Sequence, residues 1–440
     1  MLLRDDLNHL VTGATRTSLE HYQHALRLLQ CYIGDPVAVV DAAIAESPTM
    51  VMAHALKAWL HLLGTESNGL PVARESLRTA LQLRANHREA GHLQAIGRVI
   101  EGRWHDAGRE LEDVAIEYPN DALALQAGHQ IDFFTGNSRM LRDRIARALP
   151  AWSERMPGFH ALLGMHAFGL EESADYGRAE SQGRRALELE PRDGWAQHAV
   201  AHVMEMRGRP KDGIAWMRAN PDAWSRDSFL CVHNWWHLAL FHLEVGQVDE
   251  VLALFDGPIY GKRSTVVLDM VDASALLWRL QLRGFDVSGR WSALADRWEP
   301  LAASGNYAFN DAHAMMAFVG ADRRNAAASI LEAQLAAMER DDDNAMFTRD
   351  VGRPMTLAIR AFGDGAYAET VRLLRPIRNI ASRFGGSHAQ RDLLDLTLIE
   401  AAFRSNQSQL ASALVAERID ARPASPSVRA LRDRSLGKAA

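Results

Sequence analysis

Apolar positions recur along the chain at three- and four-residue intervals, the spacing that gathers side chains on one face of a helix. The runs break at regular points. In GRWHDA, Gly102 and Trp104 interrupt one run, Ala107 opens the next, and Pro119 stops it seventeen residues after the glycine. Tyr176, Ala179 and Pro191 repeat this spacing, which puts Ala174 in the place that Gly102 holds. From that register the following turn falls 34 residues on in both cases, at Gly136 and at Gly208. Gly64, Gly246, Gly284 (or Gly289) and Gly320 continue the series at intervals of 34 to 38, and Gly365 with Tyr367 opens a looser copy. A period in the mid-thirties predicts repeated helix pairs. Alternating Val/Ile/Thr runs and Asn-Gly turns are lacking, so no sheet is expected.

The residue types have physical causes. Glycine permits the left-handed backbone at a helix end, alanine lets neighbouring helices approach closely, and proline cannot continue a helix interior. One pair is too small to fold alone, whereas stacked pairs share a continuous core. The glycine-to-proline motif resembles the tetratricopeptide repeat consensus, in which the first helix of each unit lines the concave surface. The expected fold is therefore all-α: a tetratricopeptide-like right-handed superhelix, an α-α solenoid of about nine to ten helix pairs able to close over its groove. The expected organisation is an N-terminal helical cap over 1–46, a continuous repeat array over 47–425, and a frayed tail over 426–440.

Composition narrows the picture. Hydrophobic residues make up 48% and charged residues 24% of the 440 positions, which suits a folded chain with a core. A formal net charge of −6 provides no broad field for nucleic acid or anionic lipid, so neither is expected as a partner. Cys31 and Cys231 are too few and too far apart for a disulfide framework or a thiolate cluster. Asp5 and Asp6 stand where a signal peptide needs apolar residues, and no long uncharged apolar window follows. A cytoplasmic location is expected, and a homo-oligomer is compatible with this composition.

The eighteen histidines carry more information than any other residue type. His54, His92 and His198 fall at one position of their units, with His202 one turn and Glu205 two turns beyond His198. In AQHAVAHVMEMRG these polar groups share a face, and HNWWHLALFHLEVG repeats the four-residue spacing with His233 and His237, beside Trp236. The next inner helices carry Asp269 and Asp272, then Asn310, Asp311 and His313. Three readings of this stripe compete. The histidines can be core residues hydrogen-bonded to neighbours. They can line a small-molecule pocket, with His198, His202, His233 and Trp236 as its walls. Or His198, His202, His233 and His237 can hold a divalent metal, since two His-x-x-x-His pairs offer four imidazole nitrogens, although no HExxH motif selects an ion. Acid-base chemistry would pair His202 with Glu205 or His313 with Asp272. Phosphate loops, a GxSxG elbow and a Walker motif are missing. In FGGSHAQRD, Ser387 reads as a helix cap, and His388 with Arg391 can close one end of a pocket.

Six segments together resemble the tetratricopeptide repeat protein 38 family: MAHALKAWLHLLG (52–64), QHAVAHVMEMRGR (197–209), HNWWHLALFHLEVG (233–246), LDMVDASALLWRL (268–280), FNDAHAMMAF (309–318) and GGSHAQRD (385–392). That resemblance implies a helical-repeat fold and a soluble protein, and it implies no reaction. The function expected is binding of a small polar ligand in the His/Asp-lined inner pocket, with processing of that ligand left open. The alternative is a scaffold that binds a peptide in the concave groove. Scarcity of Lys and Arg on the inner stripe speaks against the scaffold, because clamps for acidic peptides use basic residues there.

Overall fold

Each turn that the sequence marks with glycine reverses a helix, and the backbone shows why glycine stands there. In the computed structural model, which describes residues 3–437, Gly102, Gly136, Gly208, Gly246, Gly284 and Gly365 all have φ between 63° and 84°. Ala174 occupies the same left-handed conformation with φ of 62°, as its place in the register requires. Two positions differ from expectation. After Gly64 and Gly320 the left-handed residues are Thr65 and Asp322. Gly320 answers to packing instead, since a Cβ there would lie 2.3 Å from the Trp291 indole.

The described residues form an all-α, tetratricopeptide-like succession of helix pairs, apart from one small hairpin. That hairpin corrects the expectation of no sheet. Leu3–Arg4 pairs antiparallel with Leu10–Val11, because the Asp5 carboxylate accepts from the Leu7 and His9 amides and Asn8 turns at φ 67°. An isolated bridge also joins Ile33 and Ser228.

The chain divides into two compact units, Met1–Val200 with Asp222–Cys231, and Ala201–Pro221 with Val232–Ala440. In the first, the helices Arg16–Cys31 and Pro36–Glu46 open the series, and inner helices such as Ala122–Phe134 and Phe159–Glu171 are buried almost along their whole length. The unit ties its two ends together. Tyr32 stacks on Trp195 at 5.7 Å, its hydroxyl accepts from Gln126 and Gln130, and the returning segment places the Phe229 amide 2.7 Å from the Tyr32 carbonyl. Buried Arg144 chelates Asp132 at 2.7 and 3.1 Å beside Gly128, where any Cβ would meet the guanidinium.

The second unit also makes contacts that a nearest-neighbour solenoid lacks. Trp278 on helix Val267–Leu282 donates to the Thr397 hydroxyl on helix His388–Arg404 at 3.0 Å, and Arg279 donates to the Ala389 carbonyl. Residues 426–435, expected to fray, form the helix Pro426–Ser435. Ser425 caps it, Val428 is buried, and the Glu244 carboxylate accepts from Ser425 and Ser427.

The left-handed turns give the first prediction. Ala174→Gly should stabilise the protein by about 0.5–1 kcal/mol by relieving a Cβ at positive φ. Gly284→Ala, where a Cβ has open space and only φ opposes it, should cost about 1 kcal/mol. Urea unfolding checks both, and equal midpoints for all three proteins would contradict this account of the turns.

Candidate functional site

The helix Gly194–Met206 carries His198 and His202. His198 belongs to the first unit, where its ring stacks on Phe168 at 5.1 Å and lies 4.7 Å from Trp195. The rest of the constellation lies in the second unit. His202 and His237 are fully buried with ring centroids 4.5 Å apart, and His233 stands 4.8 Å from His237 at right angles to it. Trp236 stacks on His233 at 5.4 Å, and the Arg279 guanidinium sits 5.3 Å above the Trp236 ring. Helical spacing explains the grouping, since His233 and His237 are one turn apart on helix Cys231–Glu244.

The carboxylates select different partners from the two pairings suggested by the sequence. Asp272, from helix Val267–Leu282, meets Nδ1 of His233 at 2.8 Å, and Glu205 approaches Nδ1 of His237 at 3.4 Å. His313 directs its Nδ1 to the Phe309 carbonyl at 2.8 Å, one turn back on its own helix. Spacing along one helix cannot reveal which neighbouring helix supplies the partner.

Electrostatics follow burial. Loss of water pushes His202 and His237 well below the usual imidazole range, with the charges of His237 and His233 respectively acting in the same direction. His313 falls to about 4 for the same principal reason. Burial lowers Arg279 to about 10, against the pull of Asp392 and Glu205. Asp311 is pushed up to about 7 by burial, which the long 3.4 Å contact from Gln334 only partly offsets. Asn310 is buried beside it in sequence, while Asp269 is half-buried at the start of its helix.

Two cavities open in the second unit. The larger, of about 480 Å³, is walled by His388, Arg391, Asp392, Arg378, Arg418 and Arg422, among others. The smaller, of about 50 Å³, is lined by Glu205, Glu244, Arg279 and Arg283 and shares Asp392, Arg418 and Arg422 with the first. Of the residues expected on a pocket wall, His388 and Arg391 face the larger cavity and Glu205 the smaller. Asp392 is the hub between them. Burial would raise its pKa, but Arg418, bidentate at 2.6 and 2.7 Å, and Arg422 hold it far below the usual carboxylate range. Arg378 is engaged by Asp395 at 2.7 Å and Glu417 at 2.8 Å. Arg422 has a looser setting, 3.8 Å from Asp392 and 3.7 Å from the Met206 sulfur.

Sequence reasoning missed these arginines because it followed the inner stripe of the central repeats. The basic groups arrive from the C-terminal helices, with Arg418 and Arg422 one turn apart at the end of Ser408–Ala421. Their only sequence signal is that four-residue spacing, together with Asp392 in GGSHAQRD.

Fold and site together define a helical-repeat protein of tetratricopeptide-like, all-α type with a polar cavity in its second unit. No family model matches the chain. The structure of a human IFIT1 dimer with m7Gppp-AAAA aligns with 99% of this chain and 96% of that one, at 14% identity and a TM-score of 0.38. The P58(IPK) TPR domain aligns with 89% of this chain and 99% of that one, at 14% identity and a TM-score of 0.22. Among the described residues, no helix is long and apolar enough to cross a membrane.

Asp311 provides the prediction of this section. Its raised pKa means that the folded protein keeps a proton which the unfolded chain releases, so its contribution to stability is complete below about pH 4 and is lost as pH rises through about 7. Asp311→Asn should therefore gain on the wild type by roughly 1.4 kcal/mol per pH unit across that window, then stay level. Denaturant unfolding at pH 5 and pH 8 measures the difference, and a gap that does not widen with pH would show that Asp311 ionises normally.

Proposed function

We propose that the second unit binds a small polar ligand bearing a carboxylate or phosphate, held in the cavity of about 480 Å³. The volume lies in the range of small-molecule sites, about 300–1,000 Å³. The observation that carries this reading is the wall itself, where four arginines and His388 face three carboxylates. Arg418 is committed to Asp392, Arg378 to Asp395 and Glu417, and Arg391 to the Gly386 carbonyl, so Arg422 is the guanidinium best able to turn to a ligand anion. A guanidinium matches a carboxylate or phosphate by two parallel hydrogen bonds.

Contacts from Trp278 to Thr397 and from Arg279 to Ala389 favour an enclosed ligand over an extended peptide, since a peptide scaffold needs its inner face open. The basic groups of the wall remove the objection that the site lacks positive charge, and their convergence on one cavity supports a compact anion. The resemblance to the tetratricopeptide repeat protein 38 family belongs to the same proposal, because GGSHAQRD brings His388, Arg391 and Asp392 to the wall. Two cysteines two hundred residues apart, Cys31 and Cys231, suit a reducing, cytoplasmic setting.

Calorimetric titration and thermal shift with small mono- and dicarboxylates, phosphate monoesters, their neutral analogues and acidic peptides test the reading. Small anions should bind and raise the melting temperature. Arg422→Gln should weaken that binding about 10- to 100-fold, as expected for a charge-assisted hydrogen bond of about 1.5–3 kcal/mol. Binding by peptides alone, or anion binding untouched by the substitution, would overturn it.

A further inference from the structure

The buried imidazoles of the second unit form a group separate from the cavity walls. One ring nitrogen from each of His202, His233 and His237 lies within 4.8 Å of the other two. Packing alone does not require this convergence, because Trp236 and the surrounding aliphatic residues could fill the same volume. Two of the three rings, moreover, have a carboxylate on the Nδ1 side: Asp272 at 2.8 Å from His233 and Glu205 at 3.4 Å from His237. The Asp272 hydrogen bond to Nδ1 fixes the tautomer of His233 and directs its Nε2 to the opposite side of the ring, the usual arrangement behind a metal-bound histidine, while Glu205 lies on the Nδ1 side of His237.

We propose that His202, His233 and His237 bind a divalent transition-metal ion, with Asp272 and Glu205 as the positioning residues behind two of the ligands. An imidazole set without thiolates suits Zn²⁺, Cu²⁺ or Ni²⁺ and is poor for Mg²⁺ or Ca²⁺, which prefer oxygen. A tetrahedral ion with metal–nitrogen bonds of about 2.0–2.1 Å sets its ligands about 3.3 Å apart, so the rings need only draw together. Arg279, near His237, opposes a dication, and the two carboxylates offset it. His233, with 17% of its side chain exposed, gives the ion a way in.

The test uses the full-length protein with Zn²⁺ and Co²⁺ as probes. Protein dialysed free of metal should take up one ion per chain, show the visible ligand-field band of four- or five-coordinate Co²⁺, and melt higher with Zn²⁺ but not with Mg²⁺. His233→Gln, at the least buried of the three ligands, should abolish the Co²⁺ band. Asp272→Asn, which touches no ion, should lower Zn²⁺ affinity by about 10- to 100-fold while retaining the band. Circular dichroism verifies that each variant is folded. A natively folded wild type that shows neither the band nor a Zn²⁺ response would overturn the proposal, as would a band that His233→Gln leaves unchanged. None of these readouts depends on anion binding, so the failure of this site and of the cavity reading would be told apart.

Discussion

Helices that close over their own polar side chains must give each one a partner, and most of this structure follows from that constraint. Burying a charge without a partner costs several kcal/mol, more than a single helix pair can supply. In the first unit Asp121 meets the requirement with Arg88, His92 and the Ala124 amide, and Asp132 with Arg144. In the second, Asp392 meets it with Arg418, and Asp272 with His233. Each side-chain pair joins different helices, so satisfying the polar group also fixes how the helices sit within their unit.

The same constraint sets the chemistry. His202 and His237 in the middle of the second unit are fully buried, which disfavours their charged form, whereas the guanidinium groups from the C-terminal helices border space that a ligand can enter. One chain thus holds two polar environments of opposite character. The first has closely grouped imidazole nitrogens, and the second has positive charge beside a cavity. Arg279, with its guanidinium over Trp236 and its charge depressed by burial, stands between them and responds to both Glu205 and Asp392.

Closure of each unit is what separates this protein from an open repeat array. Nearest-neighbour stacking alone leaves the first and last pairs apart. Here the Tyr32–Trp195 stack in the first unit and the Trp278–Thr397 bond in the second join residues more than a hundred positions apart. Aromatic side chains suit the task because they combine a large apolar area with one polar handle.

Helix positions, the repeat period and most of the turns were determined by the sequence itself, because a left-handed turn and an amphipathic stripe are local properties. Ala174 shows how far this extends: the register assigned it a glycine's place, and its φ is 62°. The grouping of His233 and His237 was legible for the same reason, through four-residue spacing. Tertiary structure decided the rest. It chose Asp272 for His233, brought Arg418 and Arg422 to Asp392, folded residues 426–435 into a helix against Glu244, and divided the chain into two units. Those outcomes depend on which helices meet after dozens of intervening residues, and spacing within a helix carries no record of that choice.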